Sequence, residues 1–218
     1  MQLVCLAKSK KYGGRCLAGV EVQPSGSGGH RVVRDEGEPR WIRPVTANEH
    51  GEVPESLVRD VCLLDIIELV ETEPDPRGFQ VENIRFASSS VSTVRTLPAT
   101  NQVLDNFVTQ RTGPLFGNRG KAVSAEQARL LDHSLLLIQV NDVAFLETES
   151  SSGKPQLRAE FTHEKQRYDL PVTDPEFERS YRQGQVPASA SHFYLTISLG
   201  VPYEGWHYKL IAGVFLVT

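Results

Sequence analysis

No stretch of this 218-residue chain carries a helical period long enough to join two parallel strands. Parallel neighbours need a crossover of about a dozen residues or more, usually a helix. The apolar runs here are short instead, each bounded by glycine, proline or polar turns. That pattern suits an all-β fold with short helices better than a doubly wound sheet.

The runs fall into two sets. Residues 3–7 are apolar at consecutive positions, as in a strand covered on both faces. Residues 16–22 read as the next strand, entered through a turn whose Gly13 and Gly14 supply positive φ. Residues 24–38 are rich in glycine, serine and charge and read as a flexible loop. In the short strand 41–45, Pro44 has no N–H to donate, which places the strand at an edge or at a strand end. Residues 61–70 form the strongest strand of the first half, closed by a turn at 71–76, and residues 79–86 form another. An amphipathic helix begins near Thr100 with Val103, Leu104, Phe107 and Val108 on one side.

Three glycines and a proline in residues 111–121 mark a boundary, giving a first domain of 1–112 and a second of 122–218. Ser124 and Gln127 form a capping box, with Leu130 and Leu131 pointing inward. Strands at 135–140, 142–148, 157–161 and 166–170 follow, with 150–154 as a hairpin connection. Asp174 caps a short helix that has Pro175 at its first position, Phe177 and Tyr181 on its buried side and Gly184 at its end. Final strands at 192–199 and 207–217 flank a turn at 200–205. Two consecutive five-stranded barrels accommodate this order.

Charge narrows the partners. The net charge of −4 argues against a protein that coats nucleic acid by bulk electrostatics. Residues 1–43 nevertheless carry eight Lys and Arg against four acids, whereas residues 44–110 carry four against eleven. A basic patch on an acidic protein fits a phosphate-bearing ligand, and equally a solvated loop. The three cysteines, Cys5, Cys16 and Cys62, lack CxxC or Cys/His spacing, so no metal site is expected. Cys5 and Cys62 sit in apolar runs and read as small core residues. With no export signal and no apolar run of ~18 residues, a soluble cytoplasmic protein without membrane contact is expected.

The candidate site lies near the amino end. Lys8, Ser9, Lys10, Lys11, Gly13, Gly14 and Arg15 could cradle phosphate with backbone N–H groups and cations. The same residues could also form a lysine-rich hairpin that keeps an edge soluble. Trp41 and Arg43 alternate onto one face, where an indole would stack a base and a guanidinium would meet phosphate. The competing reading has Trp41 filling the barrel and Arg43 snorkelling or paired with an acid. In Trp206-His207-Tyr208-Lys209, alternation predicts Tyr208 inside with Leu210 and Lys209 outside. Asp65, Glu68, Glu71, Glu73 and Asp75 read as a solvated strand end or a partner-facing surface. No acid is followed two positions later by lysine, as a metal-dependent nuclease of the D/E-x-K kind requires, and no GxSxG is present. Neither catalysis nor a cofactor is expected.

The chain resembles the bacterial dual OB-fold family, proteins with two consecutive oligonucleotide-binding-type barrels. Residues 5–11, 13–16, 18–19, 41–45 and 63–66 carry the resemblance in the first half. Residues 168–175, 198–200 and 208–212 carry it in the second. The resemblance implies two OB-like barrels and nucleic-acid binding in a multi-protein antiviral or conflict system, and no reaction. The resulting expectation is a non-catalytic subunit that engages single-stranded or distorted nucleic acid through its first barrel. A separately encoded nuclease or ATPase would supply any catalysis. A protein-interaction adaptor, and recognition of a nucleotide or modified base at the Gly13-Gly14 turn, are the alternatives.

Overall fold

The structure is a computed structural model, described over residues 1–26, 28–87, 91–150, 153–186 and 192–217. The chain divides into two compact units, Met1–Gln110 and Arg111–Thr218. Strands dominate both, in curled sheets, so the expected all-β fold with short helices holds.

The first unit contains β1 (Gln2–Lys11), β2 (Gly14–Pro24), β3 (His30–Val32), β4 (Arg34–Asp35), β5 (Glu38–Pro39) and β6 (Trp41–Val45). Helix α1 (Glu55–Val58), β7 (Asp65–Leu69), β8 (Glu73–Pro74), β9 (Asn83–Arg85), β10 (Val91–Thr96) and α2 (Asn101–Leu104) follow. The sheet order is β10-β7-β1-β2-β6-β9-β8, with β3 on β2. Leu3, Cys5, Leu17, Ile42, Val53, Val58, Ile67, Leu69 and Phe86 form its core.

Residues 24–38 are more ordered than their composition predicts. Val22, Gln23 and Pro24 pair with Val32, Arg31 and His30, so the polar segment folds back on β2. The strand expected over 61–70 is confined to β7. Leu64 has φ 69°, and the Cys62 N–H donates to Asp65 Oδ2 at 2.8 Å, so a turn precedes the strand and leaves Cys62 exposed. The strand expected at 79–86 shrinks to β9. Pro44 lies inside β6, between Arg43 and Val45 in the parallel pairing with β9 and one residue before the strand's last.

The second unit contains β11 (Ala122–Ser124), α3 (Ala125–Ala128), β12 (Leu135–Asn141), β13 (Ala144–Glu149), β14 (Pro155–His163) and β15 (Gln166–Pro171). It ends with α4 (Pro175–Arg182), β16 (His192–Tyr203) and β17 (Trp206–Val217). One sheet runs β11-β17-β16-β12 and another β13-β14-β15. The Ser124 hydroxyl accepts from the Gln127 N–H as the capping box requires, but α3 lasts one turn. Ala128 is therefore the buried residue, and Leu130, expected inside, is 86% exposed. Asp174 caps α4 by accepting from the N–H groups of Glu176 and Phe177. Leu115 and Phe116, in the stretch 111–121, are buried in this unit, where the Leu115 N–H donates to the Tyr168 hydroxyl. The connection expected at 150–154 includes residues 151–152, outside the described residues.

Candidate functional site

The β1–β2 hairpin closes through Tyr12 and Gly13, with φ of 43° and 84°. Positive φ at both central residues is the type I′ pattern, whose twist matches the strands it joins. Gly14 was expected to share that conformation but starts β2. Its smallness serves a different purpose: a Cβ there would lie 2.6 Å from the Val53 carbonyl oxygen. The backbones of Arg15 and Val53 exchange hydrogen bonds of 2.8 and 2.9 Å, fixing the loop 46–53 against the hairpin. The left-handed conformation costs a tyrosine about 1 kcal/mol. In return the Tyr12 ring stacks on His50 of that loop, with centroids 3.9 Å apart. Tyr12 remains 60% exposed, and His50 and Lys10 are also exposed.

Strand alternation splits the sequence-predicted residues between two faces. Lys8 and Lys10 pair with Leu17 and Arg15 on one face, and Ser9 and Lys11 pair with Cys16 and Gly14 on the other. Val20 pairs with Trp41, which puts Trp41 and Arg43 on the second face with Cys16. Arg43 pairs in parallel with Asn83, so Asn83 joins them.

On the first face, Lys8 is buried and its Nζ donates to the Arg59 and Val61 carbonyls at 3.1 and 2.6 Å. The expectation of a phosphate contact at Lys8 is thus corrected, because its ammonium holds the chain just after α1. Arg15 pairs with Glu55 and is not available as an open cation. Lys10 alone of the three stands in solvent.

The second face is interior. Trp41 is buried at 8% exposure and Arg43 at 2%, Trp41 in the part of β6 that pairs with β2 and Arg43 in the part that pairs with β9. Stacking of a surface strand on Trp41 is corrected accordingly, and Arg43 does not meet phosphate at the surface. Lys11 is half-buried at the mouth of this face. Burial pushes its pKa below the usual lysine value; Cys16 opposes this, Arg43 reinforces it, Glu52 opposes it and Arg77 reinforces it.

The second unit reverses one further expectation. Lys209 is fully buried, with Nζ donating to the Asn118 and Gly120 carbonyls at 2.5 and 2.7 Å. Burial lowers its pKa to about 8. Trp206 is 46% and Tyr203 63% exposed, paired across the hairpin end with Glu204 and Gly205 between them. Sequence reasoning missed Tyr12 and His50. The available signal was an aromatic residue between Lys11 and Gly13 at a hairpin turn.

Residues 1–214 match the family model of the dual OB-containing domain. The chain belongs to this family. Among solved structures, the dual OB chain is similar to a murine DNA-binding protein bound with double-stranded DNA, at 7% identity and a TM-score of 0.34. That alignment covers 100% of this chain and 96% of the other. It is also similar to a deletion mutant of the single-stranded DNA-binding protein from Thermus aquaticus, at 13% identity and a TM-score of 0.24, covering 100% and 92% of the two chains. At those scores the likenesses carry no argument about what the dual OB chain binds. Comparison with curated proteins found no match. Among the described residues no helix is long and apolar enough to cross a membrane.

Proposed function

We propose that the dual OB chain is a non-catalytic subunit that binds single-stranded nucleic acid at the tip of its β1–β2 hairpin. One observation carries the reading: the exposed Tyr12 ring is braced by His50 at 3.9 Å, two residues along the same hairpin from the exposed Lys10. A ring held on one side offers its other face to a base, and base stacking on aromatics contributes about 1–3 kcal/mol per base without sequence preference. OB barrels bind oligonucleotides through strands and loops of this kind. The net charge of −4 confines phosphate attraction to such local cations. A multi-protein bacterial defence system, with catalysis from a separately encoded nuclease or ATPase, is the setting we propose.

Fluorescence anisotropy with a labelled strand of about 15 nucleotides tests the reading. Single strands should bind more tightly than the matching duplex at ~50 mM salt, and Lys10→Ala should reduce the salt slope by about 0.7. No binding of either form at that salt overturns it.

The hairpin of β16 and β17 favours a second reading, a protein-interaction adaptor. It exposes Val201, Tyr203 and Trp206 around the acidic Glu204, a composition that suits a protein surface better than phosphate. Capture of a partner that is lost on Tyr203→Ser/Trp206→Ser, by a chain that binds no strand, favours the adaptor.

A further inference from the structure

The face of the first unit's sheet opposite Leu17 and Ile42 of its apolar core gathers polar groups that a β core does not need. Lys11, Cys16, Arg43 and Asn83 share that face through the strand register. The loop 46–53 brings Glu52 to its rim: a Cβ on Gly14 would lie 3.1 Å from Glu52 Cγ. Arg77 reaches the same loop, since a Cβ on Gly51 would lie 3.4 Å from its Nη1. Its Nε and Nη2 meanwhile donate to Asp75 Oδ2 at 3.2 and 2.8 Å.

Several buried atoms of this region have no hydrogen-bond partner among the described residues. They include Glu52 Oε2 and both polar atoms of the Asn83 amide, whose residue is only 1% exposed. Buried polar side chains are nearly always paired, and each one left unpaired costs about 1–3 kcal/mol. A buried carboxamide with donor and acceptor both open, on the same face as an arginine, is therefore arranged for something that enters.

We infer that this face is a nucleotide-binding pocket, in which Lys11, Arg43 and Arg77 receive a phosphate while Asn83 and Glu52 receive a base edge. Guanidinium and ammonium groups make the strong charge-assisted bonds that phosphate accepts. A carboxamide offers a donor beside an acceptor and a carboxylate offers acceptors only, the combination that reads the hydrogen-bonding edge of a base. Asp75 on Arg77 and the buried Glu82 beside Asn83 limit the net positive charge, which suits one phosphate better than a polyphosphate. The phosphate and base can belong to a free mononucleotide or to the end of a strand. The pocket uses none of the groups assigned to the hairpin tip, apart from their common hairpin.

Isothermal titration of the full chain with guanosine 5′-monophosphate, adenosine 5′-monophosphate and inorganic phosphate tests the inference. One nucleotide should bind at least ~10-fold more tightly than phosphate, a difference of about 1.4 kcal/mol. Asn83→Leu should weaken that nucleotide ~10-fold or more while leaving the affinity for a 5′-hydroxyl strand unchanged. Arg77→Ala, at a partly exposed side chain, provides the same readout without a core change. A 5′-phosphorylated strand that competes with the mononucleotide identifies a strand-end site, and one that does not compete identifies a free nucleotide. Either outcome upholds the pocket. Absence of nucleotide binding, phosphate binding as tightly as both nucleotides, or wild-type nucleotide affinity in Asn83→Leu and Arg77→Ala overturns it. Loss of strand binding in Tyr12→Ala with nucleotide binding intact separates this pocket from the hairpin site.

Discussion

Replacing Lys8 by methionine separates a structural lysine from a ligand-binding one. Methionine retains the apolar stem but removes the ammonium that holds the Arg59 and Val61 carbonyls. Hydrogen bonds to a charged group contribute about 1.5–3 kcal/mol each, and a buried acceptor left unpaired costs about 1–3 kcal/mol. The Val61 bond is buried and the Arg59 bond only partly so, and the methionine gains from no longer burying a charge. A net loss of about 2–4 kcal/mol follows for the first unit. At roughly 4 °C per kcal/mol for a unit of this size, its melting transition should fall by about 8–16 °C. Calorimetry resolves the transition, and anisotropy below it measures strand affinity. The folded variant should bind a single strand as the wild type does. An unchanged transition accompanied by weaker strand binding would refute the reasoning, because Lys8 would then act at the ligand.

Three further outcomes are expected. Gly14→Ala places a Cβ 2.6 Å from the Val53 carbonyl, so the loop carrying His50 must shift; strand affinity should fall about 5-fold or more although no contacting group changes. In the second unit, desolvation raises the pKa of the buried Asp174 carboxyl to about 6, above its unfolded value, so its contribution is fully present below about pH 4 and is lost as pH rises through 6. Urea titrations should show wild type losing up to about 3 kcal/mol relative to Asp174→Asn across that window. Tyr203→Ser/Trp206→Ser should leave strand affinity within about 2-fold of wild type, since the proposed strand site lies at the other hairpin.

The strands that bury apolar residues were readable in the sequence. Those of β1, β2, β12 and β17 announce themselves because burial on one or both faces demands apolar residues at fixed spacing. Strand β10 does not: Ser92, Thr93, Val94, Arg95 and Thr96 are all exposed, so its pairing with β7 leaves no hydrophobic alternation to find. The phase of β17 was misread because alternation assumes that a lysine faces water, whereas the carbonyls of Asn118 and Gly120 supply the partners that bring Lys209 inside. Lys8 was misplaced for the same reason. Its burial had a signal, in that it continues a run already apolar on both faces, but the carbonyls that receive it lie about fifty residues away. Trp41 and Arg43 do share a face, as two-residue spacing requires; what spacing could not show is that this face is covered. The contact between Tyr12 and His50 depends on a loop docked by Arg15 and Val53, a long-range bridge with no local trace.

The central claim, that the chain takes a single strand on the Tyr12–His50 pair, is tested most directly by one affinity comparison. Anisotropy of a 5′-hydroxyl strand with the wild-type chain and with Tyr12→Ala/His50→Ala, at ~50 mM salt, reads the stacking contribution alone. The account predicts a loss of about 1–3 kcal/mol, or roughly 5- to 150-fold, with folding intact. Equal affinities for the two proteins would contradict it.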